Sequence, residues 1–168
     1  METAITVLII VGVLIVGILG LVQTAISTQS TVSQSTYVMQ SRLEDQTRTS
    51  LMPLSATADP VLGNWVDVTL RNTGASKLAN FEKWDVILQY TDAFGVTRIQ
   101  WYPYLTSWSK QIYQTAPTVP EVFDPGIFNP GEEMTIRVNV VVAIQNGSTN
   151  LATIATPSGI TASSMFTR

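Results

Sequence analysis

Residues 4–22, AITVLIIVGVLIVGILGLV, carry only one polar side chain, Thr6. About 20 apolar residues in a helix span the hydrocarbon core of a bilayer, so this segment predicts a membrane-length helix. A cleaved secretory signal would begin with positive charges, whereas the first cationic side chain is Arg42. We expect either insertion with the N-terminus outward or, preferably, removal of a short basic leader that leaves Met1 as the mature start.

The next segment is rich in Ser, Thr and Gln and has no Gly or Pro before Pro53. On a helix with 100° per residue, its apolar residues fall mainly within one broad sector of the helix surface, and Gln and Ser side chains lie in the same sector. We therefore predict one helix from residue 3 to about 51, roughly 70 Å long at ~1.5 Å per residue and ended by Pro53. The alternative is a membrane anchor followed by a disordered linker. The apolar residues of the sector are Val22, Ala25, Ile26, Val32, Met39, Leu43 and Leu51.

From Asn64 onward the hydrophobic pattern alternates, as in half-buried strands. Turn signals such as Asn72-Thr73-Gly74 and Asn146-Gly147 separate the alternating segments. A loop with four prolines and two glycines, residues 116–133, leads into the clearest alternation of the chain. About seven short strands follow one another without a helix between them. The expected segments begin near residues 64, 84, 96, 111, 134, 151 and 160.

These patterns predict an α+β chain: a long N-terminal hydrophobic α-helix followed by an antiparallel, immunoglobulin-like β-sandwich. The expected divisions are a helix at 1–52, a linker at 53–62 and a β-sandwich domain at 63–168.

Composition excludes several classes of function. The chain has no His and no Cys, which removes the commonest general base, the usual zinc ligands and any disulfide. Its net charge of -3 and three scattered lysines provide no basic surface for nucleic acid. We expect no enzyme, no catalytic or metal-binding residues, no cofactor and no nucleic-acid partner.

Few side chains suggest chemistry. Glu132 and Glu133 are adjacent acids, which we expect at a solvated loop end because neighbouring strand residues face opposite ways. Asp92 and Asp124 lie in expected turns but lack the ligand spacing of a calcium loop. Asn146-Gly147-Ser148 is the only N-glycosylation sequon, so Asn146 either carries a glycan or only forms a hairpin turn.

An aromatic cluster follows the second expected hairpin strand. Its side chains could bind sugar or a neighbouring subunit, but packing in the core and between subunits is the preferred interpretation. The cluster comprises Trp101, Tyr102, Tyr104 and Trp108.

The chain as a whole resembles the archaellins, the filament subunits of archaeal-type flagella within the type IV pilin superfamily. The resemblance rests on the unbroken N-terminal helix, the turn VTLRNTG and the late strand introduced by NPGEEMTIRV. Bacterial type IV pilins typically carry Glu at the fifth mature position, where this chain has Ile5. That difference favours an archaellin or an archaeal-type pilin.

The resemblance implies a structural subunit that polymerises with itself into an extracellular helical filament, most simply a motility filament. It also implies a precursor whose helix at 1–52 is inserted in the membrane before assembly and lies at the filament core afterwards, with the sandwich at 63–168 as the outer domain. A leader peptidase and an archaellum or pilus assembly platform are the implied partners. The alternatives are an adhesive archaeal-type pilin and a membrane-anchored motor component that binds the cell envelope. The residues expected to pack in the helix bundle are Ile5, Leu8, Ile9, Gly12, Ile15, Val16, Gly17, Leu19, Gly20, Val22 and Ile26.

Overall fold

The computed structural model describes residues 2–168, apart from the side chains of Glu2, Thr6, residues 25–28 and residues 30–31. The chain divides into two compact units, residues 1–43 and residues 44–168. The first unit is helical. The second contains the last turn of the helix and all of the described strands.

Helix α1 runs from Glu2 to Arg48 without interruption. The lack of Gly and Pro beyond Gly20 allows this continuity. At its end, Thr49 donates its amide (3.0 Å) and its hydroxyl (2.7 Å) to the carbonyl of Asp45. The prediction of a helix through the polar segment is confirmed, but the helix ends before the predicted position near residue 51, and Pro53 does not end it.

The turn after the second strand explains why the helix ends early. The amide of Ala75 donates to the carbonyl of Arg48 (2.7 Å), and the amide of Gly74 donates to the carbonyl of Ser50 (3.1 Å). A Cβ on Gly74 would lie 2.5 Å from backbone atoms of both Arg48 and Ser50, so only glycine fits here. The cap comes from a distant part of the chain, which local sequence could not reveal.

Within residues 2–168, nine strands form two antiparallel sheets. One sheet has the order β1-β2-β7-β5-β6 and the other the order β4-β3-β8-β9. This arrangement confirms the predicted α+β class with a sandwich-like pair of sheets. The strands are β1 (Leu51–Ala58), β2 (Trp65–Asn72), β3 (Asp85–Thr91), β4 (Thr97–Tyr102), β5 (Trp108–Thr115), β6 (Val119–Pro120), β7 (Glu133–Asn139), β8 (Thr149–Ala155) and β9 (Thr161–Thr167).

The inner faces of both sheets share one hydrophobic core. Alternation along β2 buries every second side chain, and β3 and β7 contribute in the same way. Each fully buried aliphatic or aromatic side chain contributes about 1.5–3 kcal/mol, so this core accounts for a large part of the domain's stability. The largest side chains buried in it include Trp84, Trp108, Tyr90, Tyr102 and Phe128.

Two strands were not predicted from the sequence. Strand β1 occupies part of the segment predicted as a linker at 53–62, and the short β6 lies within the proline-rich loop. Pro53 fits β1 because that strand is at a sheet edge, and the register shifts between Pro53 and Ser55. The weak alternation of LMPLSATA gave no clear strand signal.

Candidate assembly surface and sheet faces

The described side chains of the apolar half of α1 are exposed on all sides of the helix. The segment Thr3–Thr24 is long and apolar enough to cross a membrane, and none of its most apolar stretch is buried within the protein. A helix that is apolar all round is stable only in lipid or inside a bundle of helices. Ten of the eleven predicted bundle residues lie on this surface; the side chain of the eleventh, Ile26, is outside the described residues. The exposed apolar members are Ile5, Leu8, Ile9, Ile15, Val16, Leu19 and Val22.

Three glycines of the bundle prediction have open space around them. A Cβ at Gly12, Gly17 or Gly20 would meet nothing within 4 Å, apart from the helix itself. Within this chain no contact requires glycine at these positions. A close approach of another helix here remains a prediction.

The polar half of α1 also exposes apolar side chains. Val32, Met39 and Leu43 lie on one face and are each more than half exposed. With Ser35 and Thr36 they line a shallow groove along the helix. We call the face formed by Val32, Met39 and Leu43 the distal stripe. It offers a narrow apolar seam suited to packing against another helix.

The adjacent glutamates are not solvated, so that expectation was wrong. Glu132 and Glu133 are both buried. Glu132 accepts hydrogen bonds from the amide (2.7 Å) and the side-chain amide (3.2 Å) of Asn129. Glu133 accepts from the amide of Ala116 (2.8 Å) and lies 3.5 Å from Arg71. The loop at 116–133 folds back over them, and both carboxylates serve as structural acceptors.

Asp92 organises the turn between β3 and β4. Its buried carboxylate accepts the amides of Phe94 and Val96 (2.9 Å each) and the Nε of Arg98 (2.6 Å). Burial raises the pKa of Asp92, but these hydrogen bonds and the charge of Arg98 outweigh it, so the pKa is lowered. All of these contacts are with protein groups, so the carboxylate is a structural acceptor.

The other turn aspartate, Asp124, forms an ion pair with Lys77. Among residues 2–168, the part of the chain that the structure describes, no group of three or more acidic, His or Cys side chains could hold a metal ion.

The aromatic cluster is divided between the core and the surface. Tyr102 and Trp108 are buried, and Tyr104 packs on Trp108 with ring centroids 4.6 Å apart. Trp101 is exposed and donates its indole N–H to Asp85 (2.9 Å). Most of the cluster therefore packs in the core, as expected.

Around Trp101, the outer face of the four-stranded sheet is partly apolar. Ile87 of β3 lies opposite Trp101 of β4. Gln89 of β3 lies between Ile99 of β4 and Leu151 of β8, its partners in the two neighbouring strands. Ile87, Ile99 and Trp101 are exposed.

The outer face of the five-stranded sheet has the opposite character. A row across four strands joins Thr57, Asp67, Arg137 and Ser109 in register. Arg137 donates to both carboxylate oxygens of Asp67 (2.7 and 2.6 Å), and this hydrogen bonding raises the pKa of Arg137. The guanidinium also stacks on the ring of Trp65, 4.4 Å from its centroid.

A second row joins Ser55, Thr69, Thr135 and Gln111, in which the two threonine hydroxyls are 3.1 Å apart. In a third row, Arg71 and Tyr113 flank Glu133. Apart from Arg71, the residues of these three rows line a groove of about 590 Å³. We call this surface, centred on Asp67, Thr69, Gln111, Tyr113, Thr135 and Arg137, the polar groove.

Sequence reasoning did not find the polar groove. Alternation in each strand indicated which side chains point outward, but not which strands are neighbours. The strand order β1-β2-β7-β5 brings together residues 55–57, 67–69, 109–113 and 133–137.

The sequon lies in a turn between Ile144 and β8. Asn146 is exposed, and Gly147 has a positive φ of 75°. The hydroxyl of Ser148 donates to the carbonyl of Gln145 (2.7 Å). The predicted turn is present, and glycosylation of Asn146 stays a prediction.

These features define a class of protein: a helix from Glu2 to Arg48 whose residues Thr3–Thr24 are long and apolar enough to cross a membrane, followed by a β-sandwich whose buried acids accept hydrogen bonds from the protein itself. No protein-family model matches the chain, and no curated protein matches its sequence.

Solved structures are similar in fold. The archaellum periplasmic stator protein FlaG from Sulfolobus acidocaldarius matches with a TM-score of 0.53 and 20% identity, over 70% of this chain and 99% of that one. The complex of FlaF and FlaG from the same organism matches with a TM-score of 0.51 and 20% identity, over 69% and 87%. The archaeal flagellum of Methanospirillum hungatei strain JF1 gives a TM-score of 0.47 and 13% identity, over 91% and 89%, too low for a conclusion.

Proposed function

We propose that this chain is a non-enzymatic structural component of an archaellum-type surface assembly, and specifically the subunit of its extracellular filament. The single observation behind this proposal is the surface of α1. The helix exposes apolar side chains around its first half and continues, unbroken, into the distal stripe.

The two halves of α1 require different partners. In the membrane, lipid covers Thr3–Thr24 before assembly. The distal stripe begins about eight residues further on, roughly 12 Å beyond that span at ~1.5 Å per residue, where lipid tails do not reach. A neighbouring helix would cover both halves at once. Burial in a bundle of identical helices therefore explains the whole surface, whereas an anchor explains only the first half.

Assembly of this kind exchanges lipid for protein. Subunits leave the membrane only if other helices cover the apolar surface, because exposing it to water costs about 25 cal/mol per Å². A repeated head-to-tail contact that does not close into a ring produces an open filament. In this proposal the chain is a membrane-inserted precursor that a leader peptidase processes and an assembly platform extracts, and the β-sandwich forms the outer layer.

A second candidate is a membrane-anchored stator component whose sandwich binds the cell envelope. The observation in its favour is the fold similarity to FlaG, which extends over 99% of that chain. In this case the apolar half of α1 stays in lipid, and the distal stripe packs in a small helical oligomer.

Fractionation of the producing cells separates the two candidates. Filaments sheared from cells and purified should contain this chain as their main protein by mass spectrometry. A strain in which the gene is deleted should lack these filaments under the electron microscope. If the chain instead stays in the membrane fraction and the deletion strain keeps filaments of normal length, the filament proposal fails and the stator candidate replaces it.

A further inference from the structure

We propose that the polar groove is a binding site for an uncharged glycan. The proposal goes beyond the filament function and does not depend on it. It rests on three properties of the groove: most of its charges are paired, its central hydrogen-bonding groups are unused, and its walls have apolar surfaces.

Three of the four charged residues that line the groove, Asp67, Glu133 and Arg137, are held in ion pairs. The fourth, Lys110, has its ammonium group over the ring of Phe81, 4.3 Å from the centroid. Arg137 forms a two-point ion pair with Asp67, and Glu133 is held by Arg71 and by the amide of Ala116. An ionic ligand would have to compete with these pairs, at a cost in free energy. A neutral ligand can instead use the remaining donors and acceptors of groups that are already fixed in position.

Several polar groups in the groove are available to a ligand. Among the residues that the structure describes, the side chains of Ser109 and Gln111 and the hydroxyl of Tyr113 have no hydrogen-bond partner. Ser109 and Gln111 are exposed, and both lie beside the paired side chains of β7. Amide and hydroxyl groups both donate and accept, as sugar hydroxyls do.

The walls of the polar groove also provide apolar surfaces that suit a sugar. Leu54 on one side and Pro117 on the other line the groove, and the ring of Tyr113 lies between them in the lining. Such surfaces suit the apolar C–H faces of pyranose rings. The volume of about 590 Å³ is within the usual range for small-molecule sites.

Two sources could supply such a glycan: the cell envelope or other solid surfaces, and a glycan on Asn146 of a neighbouring copy. The shared chemistry is a neutral oligosaccharide. The test therefore uses full-length chain in detergent micelles, prepared both as wild type and as Asn146→Gln. The probes are maltotriose, cellotriose, triacetylchitotriose and neutral oligosaccharides released from the envelope of the producing cells, with saturation-transfer NMR as the readout.

We expect at least one probe to bind, and the double variant Ser109→Ala/Gln111→Ala to weaken its binding by about tenfold, because both hydrogen bonds to the ligand are lost. Both side chains are exposed, so the fold should be kept; circular dichroism checks this. The matched control is Gln89→Ala, on the outer face of the other sheet, which should leave affinity unchanged.

Tighter binding to Asn146→Gln than to wild type would identify the neighbour's glycan as the natural occupant, whereas equal binding would indicate an external source. The proposal is overturned if no probe binds either protein, or if the Ser109/Gln111 variant binds as well as wild type.

Discussion

The helix and the sandwich both carry many apolar side chains, but they differ in what covers them. Val66, Val68 and Leu70 of β2 are fully buried by the domain itself, whereas Ile5, Ile9 and Ile15 of α1 are exposed. The sandwich thus has its own core, and the helix acquires one only in lipid or in a bundle. Under the filament proposal, folding and assembly are therefore carried by different parts of one chain, and changes in one part should leave the other intact.

The largest expected effect comes from removing the first unit. A fragment of residues 44–168 retains the last helical turn, all described strands and the whole core, so it should be a soluble, β-rich monomer that cannot enter filaments. Analytical ultracentrifugation measures whether the fragment is a monomer, and circular dichroism measures its β content. Aggregation or loss of β structure in this fragment would show that the sandwich depends on the helix.

Ile15→Asp should abolish assembly in the full-length chain. The carboxylate would lie near the centre of the apolar half, where an unpaired charge costs about 3 kcal/mol or more in each subunit. Electron microscopy should show no filaments, while the near-ultraviolet circular dichroism of the sandwich is unchanged. Ile15→Leu is the control. Normal filaments from the Asp variant would contradict the proposed position of this helix.

Gly74→Ala should destabilise the sandwich by about 1–3 kcal/mol, because the added Cβ would clash with backbone atoms of Arg48 and Ser50. The melting temperature of the domain in calorimetry is the measurement. Gly17→Ala, where a Cβ meets nothing within 4 Å, is the matched control and should leave that temperature unchanged. Equal melting temperatures for wild type, Gly74→Ala and Gly17→Ala would mean that the turn can move away from the helix end without loss of stability.

Asp92 makes the stability of the sandwich depend on pH. Because its folded-state pKa lies below the ordinary value of 3.8, its contribution is complete above that pH and is lost as the pH falls through the lowered pKa. Asp92→Asn should lower the melting temperature at pH 7, and the difference from wild type should shrink below about pH 4. A difference that stays constant from pH 7 to pH 2 would show that the charge of Asp92 does not contribute.

The smallest effect is expected from Leu43→Asp in the distal stripe. This face is narrow and mixed with polar side chains, so filaments should still form but dissociate at a lower temperature, measured by light scattering. Ser41→Asp is the control, since Ser41 lies on the opposite side of the helix at 100° per residue. The distal stripe is not an interface if both variants behave as wild type.

Local patterns in the sequence were enough to predict the helix and seven of the nine strands that the structure describes, since apolar periodicity reports which face is buried. They were not enough where a distant segment decides the structure. Strand β1 exists because Leu51–Ala58 pairs with β2, despite Pro53. Glu132 and Glu133 are buried because residues 116–133 fold back on the sheet.

The candidate surfaces follow the same rule. The residues of α1 predicted to pack in a bundle could be proposed from the sequence, because an apolar helix is recognised without a partner segment; their packing in a bundle stays a prediction. The polar groove could not, because Gln111 and Thr69 become neighbours only through the central strand β7.

The backbone contact at Gly74 also bears on how force passes through the molecule. The end of α1 is held to the sandwich by hydrogen bonds from the amide of Ala75 to the carbonyl of Arg48 and from the amide of Gly74 to the carbonyl of Ser50. The chain then continues directly into β1, which is hydrogen-bonded along its length to β2. A flexible Gly/Ser-rich tether would stretch before it transmitted a pull. Here tension on the last helical turn is shared at once among several hydrogen bonds, so a pull on that turn reaches the sandwich without slack.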